Sequence, residues 1–287
     1  MTLIFRVFTA ITIVIAFIAV VIWTGRWTVV LTPAKWEHRL WALEYQHTRK
    51  PLLREYQVKE RYRGRKLEPE FMLLYVDDGK AYSALEALDS IAKKFPNSFK
   101  YPRGTFPHLF LGNDRYPRSE TLWAGNIVIR EADLKSASSE DEIAFILAHE
   151  FSHVSNRHVA RSNGGFTYIY YLLSFFDVSI LEKTSPIIER IKAIDPTQTE
   201  FVKHTEFQAD LEAFKALCDT YQHGTGAILS LTKIRKIKGD DPQSKTHPTF
   251  SERIKRLEAF SNEIGCSIDG ELLDKPESII ELSIPSF

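Results

Sequence analysis

Ser139-Glu140-Asp141-Glu142-Ile143-Ala144-Phe145-Ile146-Leu147-Ala148-His149-Glu150-Phe151-Ser152-His153-Val154 is the stretch on which the reading of this chain turns. Ser139 followed three residues later by Glu142 is a capping box in front of an apolar run, so a helix is predicted to begin here. Ile143, Phe145, Ile146, Leu147, Phe151 and Val154 give that helix a core to pack on. His149 and His153 stand four apart and share one face, so both imidazoles can reach a single ion from adjacent turns. Zinc suits such donors because it accepts a tetrahedral nitrogen and oxygen shell. Glu150 stands beside that position rather than on it, where a carboxylate can take a proton from water as a general base.

A third donor has to come from elsewhere. A zincin that uses a third histidine needs it ten residues after the first, with a glycine for the turn between. Val159 holds that position and Asn156 stands where the glycine would be. His158 is one residue out of register and reads as a structural or surface histidine turned away from the site. A distant acid remains, and Glu206-Phe207-Gln208-Ala209-Asp210 offers one. Glu206 and Asp210 lie four apart on a helix predicted to run from Pro196 to about Tyr221, so both carboxylates face the same way. Glu206 is the expected third zinc ligand, and Asp210 the acid that fixes the tautomer of a ligating imidazole. Phe207, Leu211 and Phe214 mark that helix as packed against a core.

Taken together, the run from His149 to His158, then Glu206-x-x-x-Asp210, then Thr246-His247-Pro248 before Ser251-Glu252-Arg253-Ile254, resembles the HtpX and CAAX-prenyl-endopeptidase family of gluzincins. The resemblance covers residues 71–260 and implies a mostly helical zinc endopeptidase attached to a membrane, engaged in protein quality control, with one Zn2+ per chain. It implies a substrate-pairing strand at Gly125, Asn126, Ile127 and Val128, ahead of the motif helix. His247 matches the family's His-Pro element, which gates the metal or steadies the oxyanion, and Arg253 matches a basic position in the following helix. The family's Asn-Ala-x-Ala run before the strand is absent here, residues 118–124 taking its place.

The rest of the chain frames this centre. It has 287 residues, 44% hydrophobic and 26% charged, enough for one catalytic domain with added segments. The formal net charge is zero, which gives no ground for a nucleic-acid partner. Two cysteines, Cys218 and Cys266, make neither a disulfide framework nor a Cys-type zinc site, and whether they pair is left open.

Residues 7–23 carry no charge, about the minimum for one transmembrane helix, and Trp23, Arg26 and Trp27 suit its interfacial end. The count of flanking basic residues leans toward a cytoplasmic catalytic domain, and the membrane face stays undecided.

The expected fold is α+β: a predominantly helical zincin core with a small antiparallel sheet, preceded by one N-terminal transmembrane helix. Strands are predicted at residues 71–76, 109–111 and 126–129, and further helices at 82–95, 166–176, 227–237 and 248–260. Its parts are an anchor at 1–31, an amphipathic and basic connector at 32–70, the peptidase domain at 71–265 and a tail at 266–287. The expected partners are protein or peptide substrates, and membrane lipid through the anchor. The rival from another class is a membrane-tethered client-binding protein with a structural zinc; Glu150, which a closed structural site does not need, speaks against it.

Overall fold

The computed structural model describes residues 24–34, 36–38, 40, 79–95, 98–102, 107–112, 119–174, 196–240 and 247–282, with scattered positions before residue 24. The strand expected at 71–76, the basic connector and most of the apolar run at 7–23 lie outside the described residues. Among the described residues, no helix is long and apolar enough to cross a membrane.

The first full helix, α1 (Gly79–Ala92), leads to strands β1 (His108–Gly112), β2 (Glu120–Thr121) and β3 (Asn126–Arg130), with a 3-10 turn at Trp123–Gly125 before β3. Helices α2 (Glu131–Ser136), α3 (Glu140–Ser155), α4 (His158–Asn163) and α5 (Phe166–Ser174) follow, then α6 (Pro196–Tyr221), α7 (Thr225–Lys238), α8 (Phe250–Ile264) and α9 (Glu277–Ile280). Helices thus dominate, as expected. The sheet corrects the expectation: it is mixed, not antiparallel. Its order is β1-β3-β2, with β1 parallel to β3 and β2 antiparallel to it. Parallel neighbours cannot be joined by a tight hairpin, and β2 lies in sequence between β1 and β3. Asn126, Ile127, Val128 and Ile129 are all buried, as a central strand covered on both faces requires.

The motif helix α3 is the axis of the core. Ser139 caps it, its hydroxyl accepting from the backbone N–H of Glu142 at 3.3 Å. The Glu142 carboxylate reaches back to the N–H of Ser138, one residue earlier than a simple box places it. Helices α6 and α7 pack on α3, and α1 closes its other side. Ile143, Leu147 and Phe151 of α3 join Leu88 and Ile91 of α1, Leu109, Leu111, Ile127 and Ile129 of the sheet, and Phe214 and Leu217 of α6. Phe110, Leu122 and Val128 form a smaller cluster on the opposite sheet face, which is the two-residue alternation of strands. A disulfide between Cys218 and Cys266 ties the end of α6 to the turn after α8.

A second cluster binds the N-terminal segment to the domain. Val29 and Leu40 are buried with Ala160, Phe166, Tyr170 and Tyr171 of α4 and α5. A Cβ on Gly25 would lie 2.2 Å from Cα of Gly165, so the two backbones cross too closely for any side chain. Arg157, buried at the corner between α3 and α4, donates to the carbonyls of Val29, Val30 and Thr32 and to the Glu37 carboxylate. Glu37 in turn accepts from the N–H of Ala124 at 3.2 Å. Residues 29–37 therefore staple the motif corner to the turn before β3.

Candidate active site

Helices α3 and α6 lie side by side, which brings His149 and His153 of one against Glu206 of the other. Nε2 of His149 is 3.1 Å from Nε2 of His153, and the Glu206 carboxylate oxygens lie 3.5 Å and 3.6 Å from them. Donors about 2.0–2.1 Å from a tetrahedral zinc stand roughly 3.3 Å from one another, so this triangle has the size zinc needs. His149 and Glu206 are buried and His153 nearly so, which shields the donors from water. The residues present therefore fit a zinc ion, with His149, His153 and Glu206 to hold it.

Asp210, one turn along α6 from Glu206, places Oδ1 3.1 Å from Nδ1 of His149. It is gripped in turn by Arg253 of α8, whose Nε and Nη2 donate to the two carboxylate oxygens at 2.7 Å and 2.6 Å. Such a bidentate fork fixes the carboxylate plane, and through it the imidazole. The two side chains are thus engaged with each other, and Nη1 of Arg253 approaches Glu206 only to 3.8 Å. Arg253 therefore holds Asp210 while its third nitrogen stays near the Glu206 carboxylate. His247 is half-exposed, with Nε2 3.8 Å from Glu206.

Glu150 is buried beside the triangle, and Thr121 of β2 donates its hydroxyl to Oε2 at 2.7 Å. Burial raises the Glu150 pKa to about 7, against the lowering influence of His149 and the Thr121 hydroxyl. Burial opposes charge on His149 too, yet the Asp210 and Glu206 carboxylates prevail and raise it to about 10. His153 and His158 are pushed down, chiefly by burial, the latter to about 4. Glu206 and Asp210 are held below the ordinary carboxylate range: burial works against them, and the neighbouring cationic groups overcome it.

Two expectations change here. Gly125 belongs to the turn, while Asn126, Ile127 and Val128 lie in the middle strand with β1 on one side and β2 on the other. A strand bonded on both edges has no free edge for a peptide; among the described residues β2, which carries Thr121, is the edge strand beside Glu150. His158 is not a surface residue. It is buried, and its Nδ1 lies 2.9 Å from Nδ1 of His153. The helix stops at Asn156, Arg157 takes a left-handed φ of 51°, and α4 starts afresh at His158, so a continuous-helix projection sends its side chain the wrong way. Thr121 and Gln208 carried no signal in the sequence, since their roles arise from contacts across the fold.

Known proteins match the same region. A curated relative from Yersinia pestis, a β-barrel assembly-enhancing protease, is 38% identical over 55 residues, 19% of this chain and 11% of its own length. The protein of that name from Escherichia coli K12 is 36% identical over 66 residues, 23% of this chain and 13% of its own. The chain therefore matches only about an eighth of these relatives' length. The model of peptidase family M48 matches residues 121–261, from Thr121 beside Glu150 into α8 beyond Arg253. That span contains the donor triangle, Glu150 and the Asp210–Arg253 pair, so the whole candidate site lies in the part of this chain that matches peptidase family M48, a family of zinc metallopeptidases.

Proposed function

We propose that the chain is a zinc-dependent endopeptidase acting on protein substrates in membrane-associated quality control. The observation that carries this reading is the buried triangle of His149, His153 and Glu206 with the Glu150 carboxylate beside it. A zinc ion held by these three side chains would supply Lewis acidity at the site. Glu150 takes a proton from the attacking water and passes it to the departing amine nitrogen as the C–N bond breaks. Asp210 and Arg253 keep His149 oriented throughout, and β2, the edge strand among the described residues, stands beside Glu150, where an extended peptide binds through its backbone without demanding a sequence. The names of the relatives tie those proteins to β-barrel assembly, which supports unfolded or misassembled polypeptide as the substrate class here.

The apolar run at 7–23 supports a membrane anchor, and the surface that follows it agrees. Trp27 is 65% exposed and Leu31 82% exposed, next to Arg26, as at a lipid interface. The Cys218–Cys266 bridge supports an oxidising compartment for the peptidase domain, against the weak lean of the flanking charges. Thiol labelling of the protein from intact cells under non-reducing conditions tests that assignment: two free thiols would reverse it.

The deciding experiment is a time course of unfolded-protein cleavage by zinc-loaded, detergent-solubilised protein beside Glu150→Gln. Cleavage by the wild type alone, with one zinc retained by both, is expected. No cleavage by either, with zinc bound, would favour a client-binding protein with a structural metal.

A further inference from the structure

We infer that His158 is a positioning residue: it fixes His153 in the tautomer and ring orientation that bind zinc, through a hydrogen-bond relay ending on the Glu212 carboxylate. The inference rests on reading His153 as a zinc ligand through Nε2, the nitrogen that faces His149 and Glu206. An imidazole that offers its Nε2 lone pair to a cation carries its proton on Nδ1. That N–H points at Nδ1 of His158, 2.9 Å away, which must therefore accept. The proton of His158 is then on Nε2, which faces Oε1 of Gln208 at 3.3 Å.

The same assignment follows from the other end. Glu212 can only accept. Its Oε1 takes a hydrogen bond from Nε2 of Gln208 at 2.9 Å, and its Oε2 takes one from Nδ2 of Asn156 at 2.7 Å and one from the Ser152 hydroxyl at 2.5 Å. Gln208 Nε2 also donates to Oδ1 of Asn156 at 2.9 Å. Turning the Gln208 amide over would set its oxygen against a carboxylate and its NH2 against the Nε2–H of His158. Glu212 thus fixes Gln208, Gln208 fixes His158, and His158 fixes His153. No group in the relay has a second self-consistent arrangement.

The backbone is shaped for this contact. The left-handed turn at Arg157 ends α3 and swings His158 back under the ligand face. The two ligating histidines are therefore supported differently, His149 by a carboxylate and His153 by a neutral acceptor. A partner of this kind is worth roughly 10–100-fold in metal affinity.

The test is zinc affinity by chelator competition, together with the visible spectrum of the Co2+ form, for full-length wild type, His158→Ala, His158→Gln and Gln208→Leu. The thermal midpoint of each metal-free protein is measured alongside. His158→Ala is expected to bind zinc about 10–100-fold more weakly and to alter the Co2+ spectrum. His158→Gln, whose amide can accept from His153 and donate to Gln208, should return to within a few-fold of wild type. Wild-type zinc affinity in His158→Ala overturns the inference, as does equal impairment of both His158 variants tracking a lowered metal-free midpoint. If His158→Ala does not fold, Gln208→Leu decides, because it keeps the imidazole and removes only its anchor. Unchanged zinc affinity and spectrum there overturn the relay. Wild-type protein that takes up no zinc would overturn the proposed function itself, an outcome distinct from these.

Discussion

Thr121 Oγ1 lies 2.7 Å from Oε2 of Glu150, so the edge strand of the sheet holds the carboxylate of the motif helix. Glu150 is buried, and this hydroxyl fixes which oxygen lone pairs remain to face the cleft. Hydrogen bonds to charged groups contribute ~1.5–3 kcal/mol, which is roughly ten- to a hundredfold in rate if lost from the transition state. Thr121→Val is therefore expected to lower kcat by about that factor with KM and zinc content little changed. Thr121→Ser should retain most activity. Steady-state kinetics on an unfolded substrate checks this, and full activity in Thr121→Val with a loss in Thr121→Ser would mean that the methyl group, not the hydroxyl, matters.

The Asp210–Arg253 pair is buried and bidentate. Removing one member strands the other charge in the interior, at a cost of ~3–5 kcal/mol. Arg253→Met should lower urea-unfolding stability by about that much and weaken zinc binding, because Asp210 loses the grip that aims it at His149. Combining it with Asp210→Asn should recover part of the stability but none of the zinc affinity. Strict additivity of the two losses would mean that the pair does not act as a unit.

Legibility in the sequence followed the range of each interaction. His149, Glu150 and His153 were readable because a helix converts four-residue spacing into a shared face, and Ser139 announced where that helix starts. Glu206 and Asp210 emerged by the same spacing on a second helix, although nothing local says that α6 lies against α3. Thr121, Gln208 and the Glu37–Arg157 contact join parts of the chain 29 to 120 residues apart, and no periodicity encodes them. His158 was misread for a sharper reason: one left-handed residue, Arg157, resets the helical phase. The order of the strands was hidden because β3 pairs with both β1 and β2, while the sequence shows only an apolar run.

Residues 29–37 are expected to be part of the catalytic unit rather than a passive link to the anchor. Arg157 is buried and spends its guanidinium on that segment, and Glu37 answers it while holding the N–H of Ala124. Glu37→Gln leaves the buried cation without its countercharge and should cost about 3 kcal/mol or more in denaturant unfolding. The loss should be accompanied by slower cleavage, since the turn before β3 loses its tie to the motif corner. Wild-type stability in this variant would reduce the segment to a tether.

Metal removal should expose a pH dependence that zinc conceals. In the metal-free protein His149 has its pKa raised from the ordinary 6.5 to about 10: burial disfavours the charge, but Asp210 and Glu206 outweigh it. A folded-state pKa above the unfolded one means that the protonated imidazole stabilises the fold. That contribution is fully present below about pH 6.5 and is lost as pH rises through about 10. Chelator-treated protein should therefore show a falling thermal midpoint from pH 6.5 to 10, whereas zinc displaces the proton and should flatten the curve. His149→Gln carries no titrating group there, so its metal-free midpoint should vary less over the same window. A metal-free wild type that tracks His149→Gln across that range would show that His149 is not charged in the absence of zinc.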